Sequence, residues 1–198
     1  MLIYYPDGRA GDYAIPDGVK YIAGDGYGIT SPFRCDGLAS IYIPDSMEGI
    51  CWAPFSRCPN LLEINVSPDN GSFSSQNGVL FSKDHTTILA YPPGRTGAYA
   101  IPEGVLDLGD YAFYNCNGLT SLTIPEGVTY LYYTVGDYTH TAFLNCTNLA
   151  HVVIPRSVSV IDDEVFDNCS NLTIQGYADS EAQRHAEKKS IPFIEIIS

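Results

Sequence analysis

The stretch that decides the fold is Leu119-Thr120-Ser121-Leu122-Thr123-Ile124-Pro125-Glu126-Gly127-Val128-Thr129-Tyr130-Leu131. Its first half sets apolar residues among polar ones, which predicts a short strand whose polar residues face solvent. The proline directly after this strand ends it and turns the chain. The pattern I-P-x-x-(V/M)-x-x-(I/L) then recurs at residues 15–22, 43–50, 101–108, 124–131 and 154–161. The stretch is therefore one copy of a tandem repeat.

A second feature, a phenylalanine followed by a cysteine, comes after each copy of this pattern. The pairs are Phe33 and Cys35, Phe55 and Cys58, Phe113 and Cys116, Phe143 and Cys146, and Phe166 and Cys169. A complete unit, from Ile101 to Ile124, is about 23 residues long. A unit this short cannot bury its apolar face alone, so the units must stack on one another.

Five of the six cysteines hold the same place in their units. They are predicted to form a row of small, buried, reduced side chains. The chain has no C-x-x-C pair and is long for a disulfide-stapled scaffold, which argues against a zinc site and a disulfide framework. Cys51 lies outside the register and is the one candidate for a reactive or pairing thiol. The alternative for Cys51 is ordinary turn packing beside Trp52.

These features predict a leucine-rich-repeat solenoid of the α/β class, rich in β structure, that forms a single domain over residues 1–198. Short parallel strands are expected to stack in one sheet. The back of each unit is expected to hold turns or short helical segments, between which the sequence does not decide. Residues 173–198 are predicted to form a cap, in which Ser180 and Gln183 make a capping box that opens a helix through about Lys189. A last strand over 191–197 follows it.

The unit C-x-x-L-x-x-I-x-I-P-x-x-V-x-x-I-x-x-x-A-F resembles the BspA-like leucine-rich repeats of bacterial cell-surface proteins, and the resemblance covers nearly the whole chain. It implies a secreted or surface-anchored protein, although residues 1–6 lack the features of a signal peptide. Members of the family act in adhesion to host matrix proteins or to other cells. The family has no shared catalytic residues, so the resemblance implies a binding module and not a particular ligand.

Residues 67–100 interrupt the repeat. Segments 78–81 and 87–91 predict paired strands joined by a turn at 83–85, a hairpin that extends from the coil. Residues 2–19 align without gaps on residues 88–105, inside this insert. A chain that opens in the middle of such an insert is expected to be a fragment of a larger surface protein, and the alternative is a native degenerate cap.

Two further insertions fall at one position of the repeat. The step to the following phenylalanine is normally 5 residues, but it is 11 after Ile22 and 12 after Leu131. Both loops are predicted to emerge on one side of the solenoid. They are rich in tyrosine and small residues, the composition of adaptable binding loops, and Tyr27, Tyr133 and Tyr138 are the candidate contacts. Neutral drift in tolerant loops is the alternative.

Charge and motif content exclude several functions. The net charge is −13, from 23 acidic and 10 basic residues, so nucleic acid and anionic membranes are poor partners. No apolar run is long enough to span a membrane. The sequence contains no hydrolase, phosphate-binding or metalloprotease motif, and residues 162–164 lack the acid spacing of a calcium loop. We therefore expect no enzyme activity, no catalytic residues, no metal and no cofactor.

The outward positions of the predicted strands define a candidate binding face. If the leucine and isoleucine positions of each strand are buried, the second and fourth residues after the leucine face solvent. These residues are expected to form one continuous ladder along the sheet: Ser40, Tyr42, Glu63, Asn65, Ser121, Thr123, His151 and Val153.

The leading functional hypothesis is a monomeric, extracellular, non-catalytic adhesion module. It would recognise a host or neighbouring-cell protein or glycan through the strand ladder and the tyrosine-rich loops. The alternative is a structural spacer that displays other domains of a larger cell-surface protein. A third hypothesis, hydrolysis at an unrecognised acidic site, has no residue set to support it.

Overall fold

The computed structural model describes residues 10–24, 33–131, 133–135, 138–140 and 142–197. The strands in these ranges are β1 (Ala10–Ala14), β2 (Tyr21–Ile22), β3 (Gly37–Ile43), β4 (Gly49–Ile50), β5 (Glu63–Val66), β6 (Phe73–Gln76), β7 (Val79–Ser82), β8 (Thr87–Ala90), β9 (Gly97–Ala100), β10 (Asp107–Leu108), β11 (Leu119–Thr123), β12 (Tyr130–Leu131), β13 (Tyr133–Val135), β14 (Tyr138–His140), β15 (His151–Val153), β16 (Val160–Ile161), β17 (Thr173–Gly176) and β18 (Phe193–Glu195). The helix is α1 (Glu181–Lys189).

The first strand of each unit pairs in parallel with the first strand of the next unit. One sheet has the order β1-β3-β5, and a second has the order β18-β17-β15-β11-β9. The register aligns Ile41 with Ile64 and Leu122 with Val152, and all four side chains are fully buried. The repeated apolar positions thus form continuous rows inside the stack. The predicted leucine-rich-repeat solenoid is confirmed.

The end of each V-x-x-I pattern forms a second, two-residue parallel strand. β2 pairs with β4, and β12 pairs with β16. The segments that follow β4, β10 and β16 are turns, and α1 is the only helix in the described part of the chain. The back of these three units is therefore built from turns and not from short helices.

The insert contributes a whole layer to the stack. β7 pairs with β8 in antiparallel fashion, as predicted, and β6 adds a strand that the sequence did not predict. β8 then pairs in parallel with β10 of the following unit. The prediction that the hairpin extends from the coil is wrong, because Leu80, Phe81 and Ile88 are almost fully buried. Leu80 packs in the hydrophobic cluster of the first units, whereas Phe81 packs in the cluster of the later ones.

The insert is fastened to the preceding unit by main-chain contacts. Gly94 N–H donates to the carbonyl of Leu61 at 2.9 Å, and Arg95 Nε donates to the carbonyl of Leu62 at 2.6 Å. A Cβ on Gly94 would lie 2.8 Å from the backbone nitrogen of Leu61, so only glycine allows this approach. Because the insert lies between β5 and β9, the predicted single sheet is divided into two.

The sequence duplication of 2–19 and 88–105 is visible in the described residues. β1 pairs with β3 as β9 pairs with β11, and both pairs carry a register shift at the same position. Gly11 and Gly97 occupy this position with φ of 86° and 90°, in the left-handed region that glycine permits. The two copies therefore share a backbone conformation as well as a sequence.

Aromatic rings and thiols run along the core in parallel rows. Phe113, Phe143 and Phe166 lie with successive ring centroids 5.1 and 5.5 Å apart. The thiol of Cys146 donates to the carbonyl of Phe113 at 3.0 Å, and the equivalent cysteines make longer contacts of the same kind. Cys58, Cys116, Cys146 and Cys169 thus each donate to a carbonyl of the preceding layer. This contact explains the cysteine of the repeat more fully than its size alone.

The repeated asparagines form a row of their own. The side-chain amide of Asn168 donates to Asn145 at 2.8 Å, that of Asn145 to Asn115 at 3.2 Å, and that of Asn115 to the carbonyl of Ser56 at 3.1 Å. The three asparagines have φ of 60–66°, a conformation that asparagine tolerates better than most residues. Turn geometry and side-chain hydrogen bonds thus explain why asparagine precedes Cys116, Cys146 and Cys169.

Thiol reactivity provides a first test of the packing. Cys51 is the only cysteine that is not fully buried, and burial nevertheless raises its pKa to about 11. Burial also raises the pKa of Cys58, to about 12, and that of Cys116. We expect these three thiols of the native protein to react slowly with Ellman's reagent at pH 8, with Cys51 first, because thiolate is the reactive form. Modification of Cys116 before Cys51, mapped by peptide mass spectrometry, would contradict this packing.

The cap covers the end of the stack. Ser180 Oγ accepts from the N–H of Gln183 at 3.3 Å, and Gln183 Oε1 accepts from the N–H of Asp179 at 2.9 Å. Ser190 ends α1 with φ of 56°. The predicted helix and the following strand are confirmed. His185 projects from α1 onto Phe166, with ring centroids 6.0 Å apart, and closes the aromatic row.

The buried His185 is expected to make the cap sensitive to acid. Burial and the nearby Lys189 lower its pKa from the ordinary value of 6.5, although Asp163 and Glu181 oppose this shift. Just below pH 6.5 the unfolded chain therefore binds a proton that the folded ring does not, and stability falls as the pH is lowered through this window. The slope from this group is at most about 1.4 kcal/mol per pH unit. Urea unfolding of His185→Phe between pH 7 and 5 should show a shallower decline than the wild type, and an identical decline would refute the assignment.

Candidate binding surfaces

The outward residues of the first strands define what we call the strand face, which has two blocks. In the first block, Asp12, Ser40 and Glu63 lie side by side in register, and so do Ala14, Tyr42 and Asn65. In the second block the corresponding rows are Ala98, Ser121, His151 and Thr173, and Ala100, Thr123, Val153 and Gln175. All eight sequence-predicted residues lie on these rows with exposed or half-exposed side chains. The expected continuous ladder is wrong, since the insert separates the two blocks.

The first block is acidic and aromatic. Ser40 Oγ donates to Asp12 Oδ1 at 2.7 Å, and Asn65 Nδ2 donates to Glu63 Oε2 at 3.2 Å. These contacts orient two carboxylates on a surface formed by neighbouring strands. Tyr42 lies between Ala14 and Asn65 and is 41% exposed. This block can therefore accept hydrogen bonds and offer one aromatic ring to a ligand.

The second block is flatter and less charged. Thr123 lies between Ala100 and Val153, and His151 lies between Ser121 and Thr173. Small side chains allow a ligand to approach the sheet closely, and His151 is the titratable group among these positions. The sequence prediction missed the strands β1, β9 and β17. The Tyr-Ala-Ile-Pro segments at the ends of β1 and β9 carried a recognisable signal, because Ile-Pro also occurs at the ends of β3 and β11.

The tyrosine-rich insertions follow the second strand of their units. Tyr27 lies outside the described residues. After β12, the backbone of 133–135 pairs with that of 138–140 in antiparallel fashion, with Tyr133 opposite His140 and Val135 opposite Tyr138. The predicted loop therefore contains a short hairpin. Tyr133 and Tyr138 thus lie on the two paired strands of this insertion.

The shifted pKa values have structural causes. The carboxylate of Glu48, whose pKa is lowered, accepts from Lys20 at 2.6 Å and from Tyr21 at 2.8 Å on the surface. Asp84 has a pKa of about 2 because the side chain of Ser82 and the backbone and side chain of Thr86 donate to it in the hairpin turn. Hydrogen bonds to each carboxylate thus explain both lowered pKa values.

Acidic residues near the cap are also used structurally. Asp162 Oδ1 accepts from the N–H of Glu164 at 2.8 Å, and Lys188 Nζ donates to Asp163 at 2.6 Å. In the described ranges, no group of three or more His, Cys, Asp or Glu residues is placed to hold a metal ion. Asp162 and Asp163 therefore take part in local contacts of the cap region.

The stacked parallel strands and the repeated apolar rows define the class of the molecule as a leucine-rich-repeat solenoid. The sequence matches the BspA type leucine rich repeat region in six copies, over residues 14–85 and 97–179. The chain belongs to this family. Comparison with curated proteins gives no match.

Several solved structures share the fold. A leucine-rich repeat protein from Eubacterium ventriosum ATCC 27560 is 27% identical, with a TM-score of 0.68 over 85% of this chain and 42% of that one. A leucine-rich repeat protein from Bacteroides ovatus ATCC 8483 is 20% identical, with a TM-score of 0.51 over 94% of this chain and 42% of that one. A leucine rich cell surface protein from Faecalibacterium prausnitzii A2-165 is 23% identical, with a TM-score of 0.41 over 89% of this chain and 62% of that one. The chain thus spans less than two thirds of the length of each of these proteins.

Proposed function

We propose that this chain is a non-catalytic, monomeric binding module that recognises a protein or glycan outside the cell or at its surface. One observation carries the proposal: two sheets present in-register rows of exposed side chains that the core does not need. Repeat solenoids use such extended surfaces for recognition. The strand face and the segments around Tyr27, Tyr133 and Tyr138 are the proposed contact regions.

The chemistry of the strand face favours particular ligands. The oriented carboxylates of Asp12 and Glu63 match a ligand that donates hydrogen bonds or carries positive charge. Tyr42 supplies an amphipathic ring of the type that is enriched in binding hot spots. The net charge of −13 disfavours nucleic acid and anionic lipid. A basic protein surface or a glycan with several hydroxyl donors fits these properties.

The proposed location rests on the family. A solved structure similar to this chain is a leucine rich cell surface protein, and the family resemblance supports a location where host or neighbouring-cell ligands are accessible. The helix of the described residues is too short to cross a membrane. An extracellular site also agrees with a surface whose exposed groups are polar and acidic.

A binding panel tests the proposal. The purified chain would be titrated by label-free interferometry against immobilised matrix proteins and glycans, at 50 and 150 mM salt. We expect saturable binding to at least one panel member that persists at the higher salt, since exposed charge pairs alone weaken with screening. A flat response to every panel member would count against a recognition function.

The second candidate is a structural spacer. It is favoured by the continuous row of buried rings from Tyr91 through Phe113 and Phe143 to Phe166, which joins the insert to the later units. Such a row gives each unit a rigid attachment to its neighbours. A flat response in the panel, combined with cooperative unfolding, would favour this candidate over the binding module.

A further inference from the structure

A pocket of about 210 Å3 lies where the first units meet the insert, away from the rows of the strand face. Ile50, Pro54, Phe73, Leu80 and Leu89 form its apolar wall. Trp52 also lines the pocket and is 55% exposed. Ile50, Phe73 and Leu89 are only partly buried, so the wall retains apolar surface that the core does not cover.

The pocket results from the replacement of a unit by the insert. In a regular pair of units, the residue after the second strand donates to the unit before it, as Asp162 N–H does to the carbonyl of Leu131. The equivalent Gly109 N–H donates to Ile88, which belongs to the insert. In the described chain β4 pairs with β2 alone, whereas β10 pairs with β8. Trp52, two residues after β4, therefore lacks the cover that a following unit would provide, whereas Ala53 and Phe55 are buried.

The volume and the lining residues of the pocket indicate which kind of ligand it can hold. Its volume is below the roughly 300–1,000 Å3 of pockets that hold drug-sized ligands, so it suits one side chain or one sugar ring. A sugar ring needs several polar partners, and Asp110 is the only lining residue with a charged side chain. An apolar side chain gains more from this wall, because apolar burial and an aromatic neighbour are the features of a hot-spot anchor.

The backbone on both sides of the pocket is in an unusual conformation. Ala53, between Trp52 and Pro54, has φ of 44°, and Tyr111, next to Asp110, has φ of 57°. A positive φ is uncommon for alanine and an outlier for a bulky residue such as tyrosine. Strained residues of this kind concentrate at ligand-binding segments, where the surrounding structure holds them. Here they are sequence neighbours of the pocket residues Trp52, Pro54 and Asp110.

We propose that this Trp52 pocket is a docking site for a single apolar side chain of a protein partner, carried on a positively charged peptide segment. The net charge of −13 and the carboxylate of Asp110 select the basic flanks by charge complementarity. The apolar wall and Trp52 bind the anchor side chain. The site is independent of the strand face, so either can bind when the other does not.

The single tryptophan of the chain makes the test direct. The probes are the peptides acetyl-KKFKK-amide and acetyl-KKAKK-amide, which differ only in the anchor and contain no indole. In nitrogen-15 NMR titrations, the phenylalanine peptide is expected to shift the one indole N–H signal saturably. It should bind at least about 10-fold more tightly than the alanine peptide, which corresponds to about 1.4 kcal/mol for the anchor. Equal binding of the two peptides, or no shift with either, would overturn the proposal.

Two variants and a sugar complete the design. Leu89→Phe narrows the pocket and should weaken the phenylalanine peptide about 10-fold. Leu106→Ala removes a side chain that is 53% exposed elsewhere and should leave binding within about 2-fold. If both variants weaken binding of the phenylalanine peptide equally, the peptide does not bind in the Trp52 pocket and the proposal is contradicted. If methyl β-glucoside shifts the indole signal and the phenylalanine peptide does not, the pocket is a sugar site and the proposal fails.

Discussion

Replacing Phe113 with alanine is expected to lower the free energy of unfolding by about 3–5 kcal/mol, the usual cost of truncating a buried aromatic residue. Phe113 is fully buried, and its ring lies between those of Tyr91 and Phe143, with centroids 5.2 and 5.1 Å away. The truncation would remove the contact that joins the insert to the later units. Because each unit of a solenoid is stabilised by its neighbours, the two parts of the stack should also unfold less cooperatively.

Urea unfolding followed by two signals would measure this effect. Far-ultraviolet circular dichroism reports on the whole chain, whereas the fluorescence of Trp52 reports on the junction between the first units and the insert. The control is Tyr114→Ala, because Tyr114 is half-exposed and packs against Tyr111 at 5.7 Å; it should lose less than about 1 kcal/mol. Similar losses in the two variants would show that the aromatic row does not hold the units together.

Asn70→Ala is expected to cost about 3–5 kcal/mol for a different reason. Asn70 is fully buried. Its amide donates to the carbonyls of Pro44 and Met47 at 2.7 and 3.0 Å, and its Oδ1 accepts from the N–H groups of Ser72 and Phe73 at 2.8 and 2.7 Å. The alanine variant leaves these main-chain groups without partners, and each unsatisfied buried group costs about 1–3 kcal/mol.

The measurement for Asn70 is the change in urea midpoint at constant slope. Asn65→Ala is the matched control, since the amide of Asn65 donates to the exposed carboxylate of Glu63 and should be worth less than about 0.5 kcal/mol. Asn70→Asp keeps the acceptor oxygens and removes the donor, so we expect it to remain strongly destabilised. An Asn70→Ala midpoint equal to that of Asn65→Ala would refute the bridging role.

The regular units could be predicted because local and repeated signals agree. Strand alternation, the Ile-Pro stop and the Phe and Cys positions each fix one part of the unit, and the repetition fixes their alignment. The cap was predictable for the same reason, since Ser180 and Gln183 give a local helix start. No local sequence signal distinguished turns from short helices on the back of the units, because both structures are compatible with the apolar spacing of V-x-x-I.

The insert was harder because its contacts are not repeated. Leu80 and Phe81 are adjacent, and both are buried on opposite faces of β7. A run of consecutive apolar residues is typical of a strand covered on both faces, and this signal argues against a hairpin that extends into solvent. The side chains of Asn70 and Arg95 donate to carbonyls at least 18 residues away, as in the contact of Arg95 with Asn77, and no sequence pattern marks these contacts.

The strand face was predictable in its residues and not in its extent. Side chains alternate between the two faces of a strand, and this alternation determines which side chains of β3 and β11 point outward. Tyr42 and Thr123 could therefore be assigned to the outer face from the sequence. Whether the rows of outward residues are continuous depends on which strands are neighbours. The insert lies between β5 and β9, so these two strands do not pair and the rows are interrupted there. The Trp52 pocket is likewise a product of this replacement, and its residues come from five separate segments.

The central claim is that the strand face recognises a ligand, and the most direct test compares matched substitutions on and off this face. The double variant Tyr42→Ala and Thr123→Arg alters both blocks, whereas Tyr21→Ala and Thr129→Arg makes the same changes at exposed positions elsewhere; Tyr42 and Tyr21 are 41% and 47% exposed. Each would be titrated by interferometry against the panel member that the wild type binds. The proposed function predicts that the strand-face variant loses at least about 10-fold in affinity while the control stays within about 2-fold. Equal affinity of the two variants for that ligand would contradict it.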